Sequence, residues 1–163
     1  MAVDMFLKIE GEIEGEAQDK THKGEIDVLA WSWGISNSGS FHAGGGGGSG
    51  KANFQDISVT KYVDKASPIL GLFCANGDHF EKASLVVRKA GKDPLEYLKI
   101  DMEKVMITAY STGGSGGEDR LTENVTLNFK KVTMNYKEQL PDGSAATPKS
   151  FEWDIATNEG SSA

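Results

Sequence analysis

Apolar and polar side chains alternate along most of this chain, which is the pattern of strands with one buried face. Residues 121–129 show it best: apolar side chains occupy every second position, and only Glu123 interrupts the apolar side. Gly- and Asp-rich segments separate such stretches, so the sequence predicts short antiparallel strands that form a sandwich or barrel. The other predicted strands are 3–9, 26–33, 53–61, 81–89, 95–101, 104–110, 131–138 and 150–156.

The predicted strand at 26–33 divides its side chains between two faces. Leu29, Trp31 and Trp33 share one face, and Ser32 lies on the other. Tryptophans in strands of an all-β domain normally pack in the core. We therefore expect both tryptophans to point inward and Ser32 to point outward.

One helix is predicted to begin at Ser67. Serine is a favoured N-cap residue, and Pro68 suits the first turn, where its missing N–H would have no partner in any case. Asn76-Gly77 supplies the left-handed stop at the other end. A helix of about two to three turns must pack on the sheet to be stable. The apolar stripe that would do so comprises Ile69, Leu70, Leu72 and Phe73.

Two glycine-rich segments lie between predicted strands, at 34–50 and 113–117. The first is long for a connection inside a compact domain, and loops of that length are often functional or mobile. The tail at 158–163 is small and polar, and we expect it to be flexible and to fray. The chain, residues 1–163, is expected to form a single domain.

Composition narrows the functional classes. Apolar residues make up 38% of the chain and charged residues 25%, which is typical of a globular protein. A net charge of -7 argues against nucleic-acid binding, because phosphate contacts need a surplus of Lys and Arg. A single cysteine, Cys74, excludes an intrachain disulfide. Without a signal-peptide pattern or a long apolar stretch, we expect a cytoplasmic chain with no membrane insertion.

The run from Gly45 to Lys51 is close to a phosphate-binding loop but lacks two of its features. Ala52 stands where such a loop needs a Ser or Thr for its magnesium ion. The residues that follow, 53–61, alternate like a strand, whereas a phosphate-binding loop opens a helix. We therefore predict no nucleotide site and no cofactor.

Other candidate chemistry is equally sparse. The three histidines, which have no metal-ligand spacing and are expected in solvated loops, are His22, His42 and His79. Cys74 is expected to be a small, semi-buried residue of the helix. The mixed charges of 118–120, with Glu123 nearby, favour a solvated or intersubunit salt-bridging patch over a catalytic pair. The sequence predicts no catalytic residue and no metal ligand, so an enzyme is not expected.

Several ordered blocks of the chain resemble the haemolysin-coregulated protein (Hcp) family of type VI secretion. The resemblance is densest at 111–129, a long block that combines a glycine loop with the clearest strand. The helix after Ile69 and the segment 137–163 depart from the family pattern. The other blocks are 1–9, 15–17, 26–34, 44–50, 60–65 and 87–91.

The resemblance implies a two-sheet antiparallel β-barrel or sandwich with one short flanking helix, assembling into a hexameric ring. Rings of this family stack into a tube inside a sheath, leave the cell through a spike, and carry effector proteins in the lumen. The chain would then be made in the cytoplasm and secreted without a signal peptide. Ser32 matches a lumen-facing position. We expect ring-contact or stacking residues in the long loop, namely Ser36, Ser38, Phe41, His42 and Lys51.

Two other functions stay open at this point. One is an Hcp-like chaperone that binds particular effectors with little role in the tube, and the other is a hydrolase or carbohydrate-binding β domain. For the tube, charge has a consequence: six copies at -7 carry about -42 per ring, so we expect isolated rings to repel and stay largely unstacked at low salt.

Overall fold

The computed structural model describes residues 2–39, 41–42 and 50–163, and these residues form strands and one helix. The helix, α1, spans Ser67–Asn76. The strands in chain order are β1 (Val3–Ile9), β2 (Ile26–Asp27), β3 (Ala30–Ser32), β4 (Ile35–Ser36), β5 (Asn53–Phe54), β6 (Ile57–Tyr62), β7 (His79–Lys89), β8 (Glu96–Gly113), β9 (Thr122–Tyr136), β10 (Lys149–Asp154) and β11 (Glu159–Ser162). The prediction of a mainly β protein with one short helix is confirmed.

All strand pairs are antiparallel, and β9 is the strand on which the sheet divides. Along its whole length β9 pairs with β8, which continues to β7, β1 and β2. On its other side, the first half of β9 pairs with β6, which pairs with β3. The second half pairs with β10, which pairs with β11. One long strand thus belongs to two neighbouring parts of the sheet.

The barrel closes where the chain passes from β2 to β3. The backbone N–H of Val28 donates to the carbonyl of Met5 on β1 at 3.0 Å, and the N–H of Leu29 donates to the carbonyl of Thr60 on β6 at 2.8 Å. Consecutive amides therefore join the β1 side of the sheet to its β6 side. The prediction of one strand over 26–33 was wrong, because the chain changes partners here and Leu29 is left 40% exposed.

β8 and β9 are longer than predicted because each continues through a change in side-chain direction. Met102 and Val105 are both buried on β8 although they are three positions apart, and Phe129 and Val132 are both buried on β9. Lys104, between the first pair, has a left-handed φ of 54°. The set of inward-facing positions therefore shifts by one residue at Lys104 on β8 and at Lys130 on β9, which the strand register places opposite each other. We call this change the phase shift. The four strands predicted at 95–101, 104–110, 121–129 and 131–138 are two continuous strands.

Helix α1 closes the core against β8 and differs in part from its prediction. Pro68 lies in the first turn, and Gly77 ends the helix with φ 71° and an N–H that donates to the Phe73 carbonyl at 3.1 Å, both as predicted. Leu70 is fully buried, but Leu72 is 57% exposed and does not belong to the buried stripe. The predicted cap was also wrong: the N-cap is Ala66, and no side chain caps the helix.

The Ser67 hydroxyl is instead part of a buried polar cluster. Lys61 on β6 and Glu123 on β9 are paired in register and form an ion pair with no exposed side-chain surface. Lys61 Nζ also donates to Asp64 at 2.9 Å, and Ser67 Oγ donates to Glu123 at 2.6 Å. The Tyr110 hydroxyl donates to the second Glu123 oxygen at 2.5 Å. The expectation of a solvated or intersubunit salt-bridging patch was therefore wrong for Glu123, because its partner comes from a distant strand of the same chain.

This cluster determines the ionisation of two of its members. Burial on its own would raise the pKa of Glu123, but the hydrogen bonds from Lys61, Ser67 and Tyr110 outweigh it and the pKa is lowered. Burial raises the pKa of Tyr110 to about 12, and the hydrogen bond that the Tyr110 hydroxyl donates to the Glu123 carboxylate adds to this effect. At neutral pH the Glu123 carboxyl is thus ionised and the Tyr110 hydroxyl is neutral.

The C-terminal residues differ from the expected frayed tail. Glu159–Ser162 form β11, antiparallel to β10 and exposed at every position. Gly160 fits there because it has no side chain: a Cβ would lie 2.4 Å from both the Glu152 carbonyl oxygen and a ring atom of Trp153. The strand is held by backbone pairing and by close contact with that indole, although its side chains are small and polar.

The buried ion pair leads to a stability prediction. Lys61→Met should lower the free energy of unfolding by about 3–5 kcal/mol, because it leaves the Glu123 charge buried without a cation. The double variant Lys61→Met/Glu123→Leu should recover at least half of that loss. Guanidinium denaturation at one chain concentration measures both.

Lys65→Met is the matched control, since it removes the same charge from an exposed ion pair with Glu14. It should change the free energy of unfolding by less than about 1 kcal/mol. Equal losses in the buried and exposed variants would contradict the role given to burial.

Candidate functional surfaces

Among the described residues there is no group of three or more His, Cys, Asp or Glu side chains that could hold a metal ion. The described part of the chain also has no helix that is both long and apolar enough to cross a membrane. Cys74 is partly buried, as expected.

The prediction of solvated histidines was wrong for His22, which is 6% exposed. Its ring stacks on Phe6 with centroids 4.5 Å apart. Its Nδ1 lies 2.8 Å from a Glu25 oxygen and its Nε2 lies 2.6 Å from a Glu96 oxygen. His22 thus ties the segment between β1 and β2 to the start of β8. His42 and His79 are exposed.

Arg88 holds the same segment and also lies close to Phe6. Its guanidinium lies 5.1 Å from the Phe6 ring centroid and forms ion pairs with Asp19 and Asp4. The hydrogen bond from Arg88 lowers the pKa of Asp19 to about 2. Together, His22 and Arg88 fix residues 10–25 on the barrel.

A group of small, uncharged side chains, which we call the polar face, lies on the outside of β3, β6, β9 and β8, next to the Asp56 carboxylate that accepts hydrogen bonds from Thr108 and Asn128. Register places Ser32 opposite Ser58, and Ser58 opposite Thr126. Ser58 and Thr126 hydroxyls lie 3.5 Å apart, and the Thr60 hydroxyl, one row along, donates to Asn124 at 2.7 Å. The polar face comprises Ala30, Ser32, Ser58, Thr60, Ala109, Ser111, Asn124 and Thr126.

Ser32 is exposed on the polar face, while Trp31 and Trp33 pack against the core. The alternation in the sequence correctly assigned these three side chains to opposite sides. It did not reveal the rest of the polar face, because strand pairing and not sequence proximity brings those side chains beside Ser32.

Beyond the phase shift, β8 and β9, together with β7 and β10 on either side of them, carry charges on the outside. We call this the charged face, and it comprises Lys82, Lys99, Asp101, Glu103, Lys131 and Glu152. Lys131 Nζ lies 3.8 Å from Glu103 and 3.6 Å from Glu152. The phase shift therefore separates an uncharged region of the exterior from one with charges of both signs.

The long loop leaves the barrel from a base of packed aromatic rings. Trp33 stacks on Phe151 with centroids 6.4 Å apart, and Phe54 stacks on Trp153 at 6.0 Å. The indole N–H of Trp33 donates to the Gln55 carbonyl at 3.0 Å. β4 and β5 continue from this base as a two-stranded ribbon. The loop thus projects from an ordered support.

The residues predicted for ring contact or stacking lie at or beyond this ribbon. Ser36, His42 and Lys51 are exposed, and the Ser38 carbonyl accepts a hydrogen bond from the Gly50 N–H at 3.3 Å. Phe41 is 88% exposed. The remaining predicted loop positions, 40 and 43–49, lie outside the described residues. The structure does not gather these side chains into one site.

A groove that sequence reasoning missed lies between the segment after β1 and the end of α1. Its apolar floor consists of Ile13, Phe73 and Phe80, and we call it the acidic groove because carboxylates line its rim. The rim carboxylates are Glu10, Glu12 and Glu81. A signal was present in the sequence: acidic residues at 10, 12, 14 and 16 alternate with residues at 13, 15 and 17 that the structure buries.

Asp19 provides a test of the Arg88 contact through pH. Its folded-state pKa of about 2 lies below its ordinary value of 3.8, so its contribution to stability is present above pH 3.8 and is lost as pH falls through about 2. Asp19→Asn should therefore destabilise the protein at pH 6 and have little effect near pH 2. Urea denaturation across this range measures the difference, and an effect that does not vary with pH would contradict the assignment.

Comparison with known proteins gives a consistent result. The family described as "Type VI secretion system effector, Hcp" matches residues 6–136. Protein hcp1 of Pseudomonas aeruginosa strain PAO1 is 56% identical over 160 residues, which cover 97% of this chain and 98% of that protein.

Solved structures agree with the sequence comparison. A structure described as a type six secretion system protein matches with a TM-score of 0.92 at 29% identity, covering 98% of this chain and all of the other. Hcp1 from Salmonella typhimurium matches with a TM-score of 0.77 at 34% identity, covering 99% and 100%. A type VI secretion system effector from Yersinia pestis matches at 0.74 and 38% identity, covering 93% and 99%.

Proposed function

Because this chain belongs to the Hcp family of type VI secretion proteins, we propose that it is a structural subunit of the secretion tube. Six copies form a ring, rings stack within the sheath, and the tube leaves the cell through the spike with effector proteins in its lumen. The role requires no catalysis.

The polar face is the observation that carries this proposal. A lumen through which proteins travel must be filled with water, and its wall must lack side chains that bind the cargo tightly. Small, uncharged side chains meet both needs, since they form weak, exchangeable hydrogen bonds and leave space. Ser32 lies within this surface, and we assign the polar face to the lumen.

The exposed Phe41 supports the assembly part of the proposal. An aromatic side chain that is 88% exposed leaves a large apolar surface in water. Burial of that surface against another copy would be favourable, and aromatic residues are enriched in the centres of protein interfaces. We assign the loop with Ser36, Ser38, Phe41, His42 and Lys51 to contacts between subunits or rings.

Size determination tests the assembly. Light scattering during size exclusion should give one species near six times the 17.5 kDa chain mass, and negative-stain images should show rings with a central hole. Rings should remain largely unstacked at low salt because all copies carry the same net charge. A stable monomer would contradict the tube proposal, and rings that bind effectors but are dispensable for secretion would favour a chaperone.

Ser32→Glu tests the lumen assignment. A carboxylate repeated six times around a neutral lumen should reduce co-secreted effectors by roughly tenfold, equivalent to about 1.4 kcal/mol of binding, while secretion of the chain itself stays near wild type. Quantitative mass spectrometry of culture supernatants measures both, in a strain whose own Hcp gene is deleted.

The control is Ser161→Glu, which introduces the same charge on the exposed strand β11. It should leave effector secretion unchanged. If both variants reduce effectors equally, or neither does, Ser32 does not face the cargo.

A further inference from the structure

We propose that Phe41 of one copy inserts into the acidic groove of the neighbouring copy in the same ring. The inference rests on the proposed assembly, and it names the residues on both sides of one contact between copies. The donor is the aromatic side chain of the long loop, and the acceptor is the groove over Ile13, Phe73 and Phe80.

The donor side has the properties of an interface anchor. Phe41 is the most exposed large apolar side chain among the described residues. Its neighbours in the sequence carry no negative charge: between Ile35 and Ala52 there is no Asp or Glu, and the one permanently charged residue is Lys51. In a chain with net charge -7, this loop is a locally neutral to basic segment.

The acceptor side offers an aromatic floor at the surface. Phe73 and Phe80 stack with centroids 4.4 Å apart and ring planes within 5°. Phe80 is 5% exposed and Ile13 is 7% exposed, so the floor is rigid and well packed. The groove above them has a volume of about 440 Å³, which is ample for one phenyl ring. A ring inserted there would stack or pack edge-to-face on the Phe73–Phe80 pair.

The rim of the groove carries the negative charge that the loop lacks. Glu81 is already paired, since Lys104 lies 3.0 Å away and His79 lies 3.4 Å away. Glu10 and Glu12 form no ion pair with any residue that the structure describes. Two carboxylates beside an apolar floor complement a loop that carries Phe41 and Lys51 but no acidic residue.

The contact joins two different surfaces of the chain. Within one chain Phe41 is exposed, so it does not occupy its own groove. Donor and acceptor surfaces on separate copies make a head-to-tail contact, and contacts of this kind generate rings or filaments. The inferred contact is therefore compatible with the proposed assembly.

Disulfide trapping tests the pairing directly. In a Cys74→Ser background, which removes the native thiol, His42→Cys is combined with Glu12→Cys on the rim, so that the Phe41 anchor stays in place. Mild oxidation of the assembled protein should produce a ladder of cross-linked copies on a non-reducing gel. The control pair, His42→Cys with Glu159→Cys on β11, should give at most a small fraction of that yield.

Truncation of the anchor gives an independent readout. Phe41→Ala should raise the chain concentration at which rings dissociate by roughly thirtyfold, the effect of losing a central aromatic anchor, and Phe41→Trp should restore most of the affinity. Leu72→Ala, which removes an exposed apolar side chain that does not line the groove, should have little effect.

The outcomes separate this inference from the tube proposal. Rings without cross-links at position 12, or rings whose stability is unchanged in Phe41→Ala, would overturn the inference and leave the tube proposal intact. A cross-link within a single chain, seen as a fast-migrating monomer, would also overturn it. A wild-type chain that stays monomeric would instead contradict the assembly itself.

Discussion

The hydrogen bonds from the consecutive amides of Val28 and Leu29 connect the two ends of the main sheet, and the rest of the barrel depends on that connection. One amide is bonded to β1 and the next to β6, so neither strand is left as an open edge with unpaired backbone groups at this point. Closure encloses the apolar side chains of both halves in one core. Helix α1 covers that core, and the buried Lys61–Glu123 pair connects β6 and β9 beneath the helix N-terminus.

The second organising feature is the phase shift at Lys104 and Lys130. Because both strands change their inward face at the same level, the core stays continuous while the exterior changes character. On one side lies the polar face, whose own side chains are uncharged, and on the other lies the charged face. A single pair of strands can thus belong to two exterior surfaces of different character.

Much of the fold could be predicted from the sequence, because alternation identifies strands that have one buried face. The outward position of Ser32 and the end of α1 at Gly77 followed from local pattern alone. Errors arose where tertiary contacts decide the outcome. Glu123 is buried by Lys61, 62 positions away, and His22 by contacts that include Glu96, 74 positions away.

The phase shift explains why β8 and β9 were each predicted as two strands. Side-chain alternation changes near 102–103 and at 130, and each change was predicted to end a strand. A left-handed residue at Lys104 changes the alternation without ending the backbone pairing, which periodicity cannot distinguish from a turn. The acidic groove was missed for a related reason, since Ile13 meets Phe73 and Phe80 only after folding.

Continuity of β8 and β9 through the phase shift also determines how the domain responds to force. Four short strands would be joined by loops, and a pull across the joint would open it one connection at a time. Here two unbroken strands cross the phase shift, and the backbone pairing between them runs from Leu98–Tyr136 to Gly113–Thr122. A load along the strands must shear many hydrogen bonds together, so the barrel resists stretching in that direction far more than it resists peeling at β11.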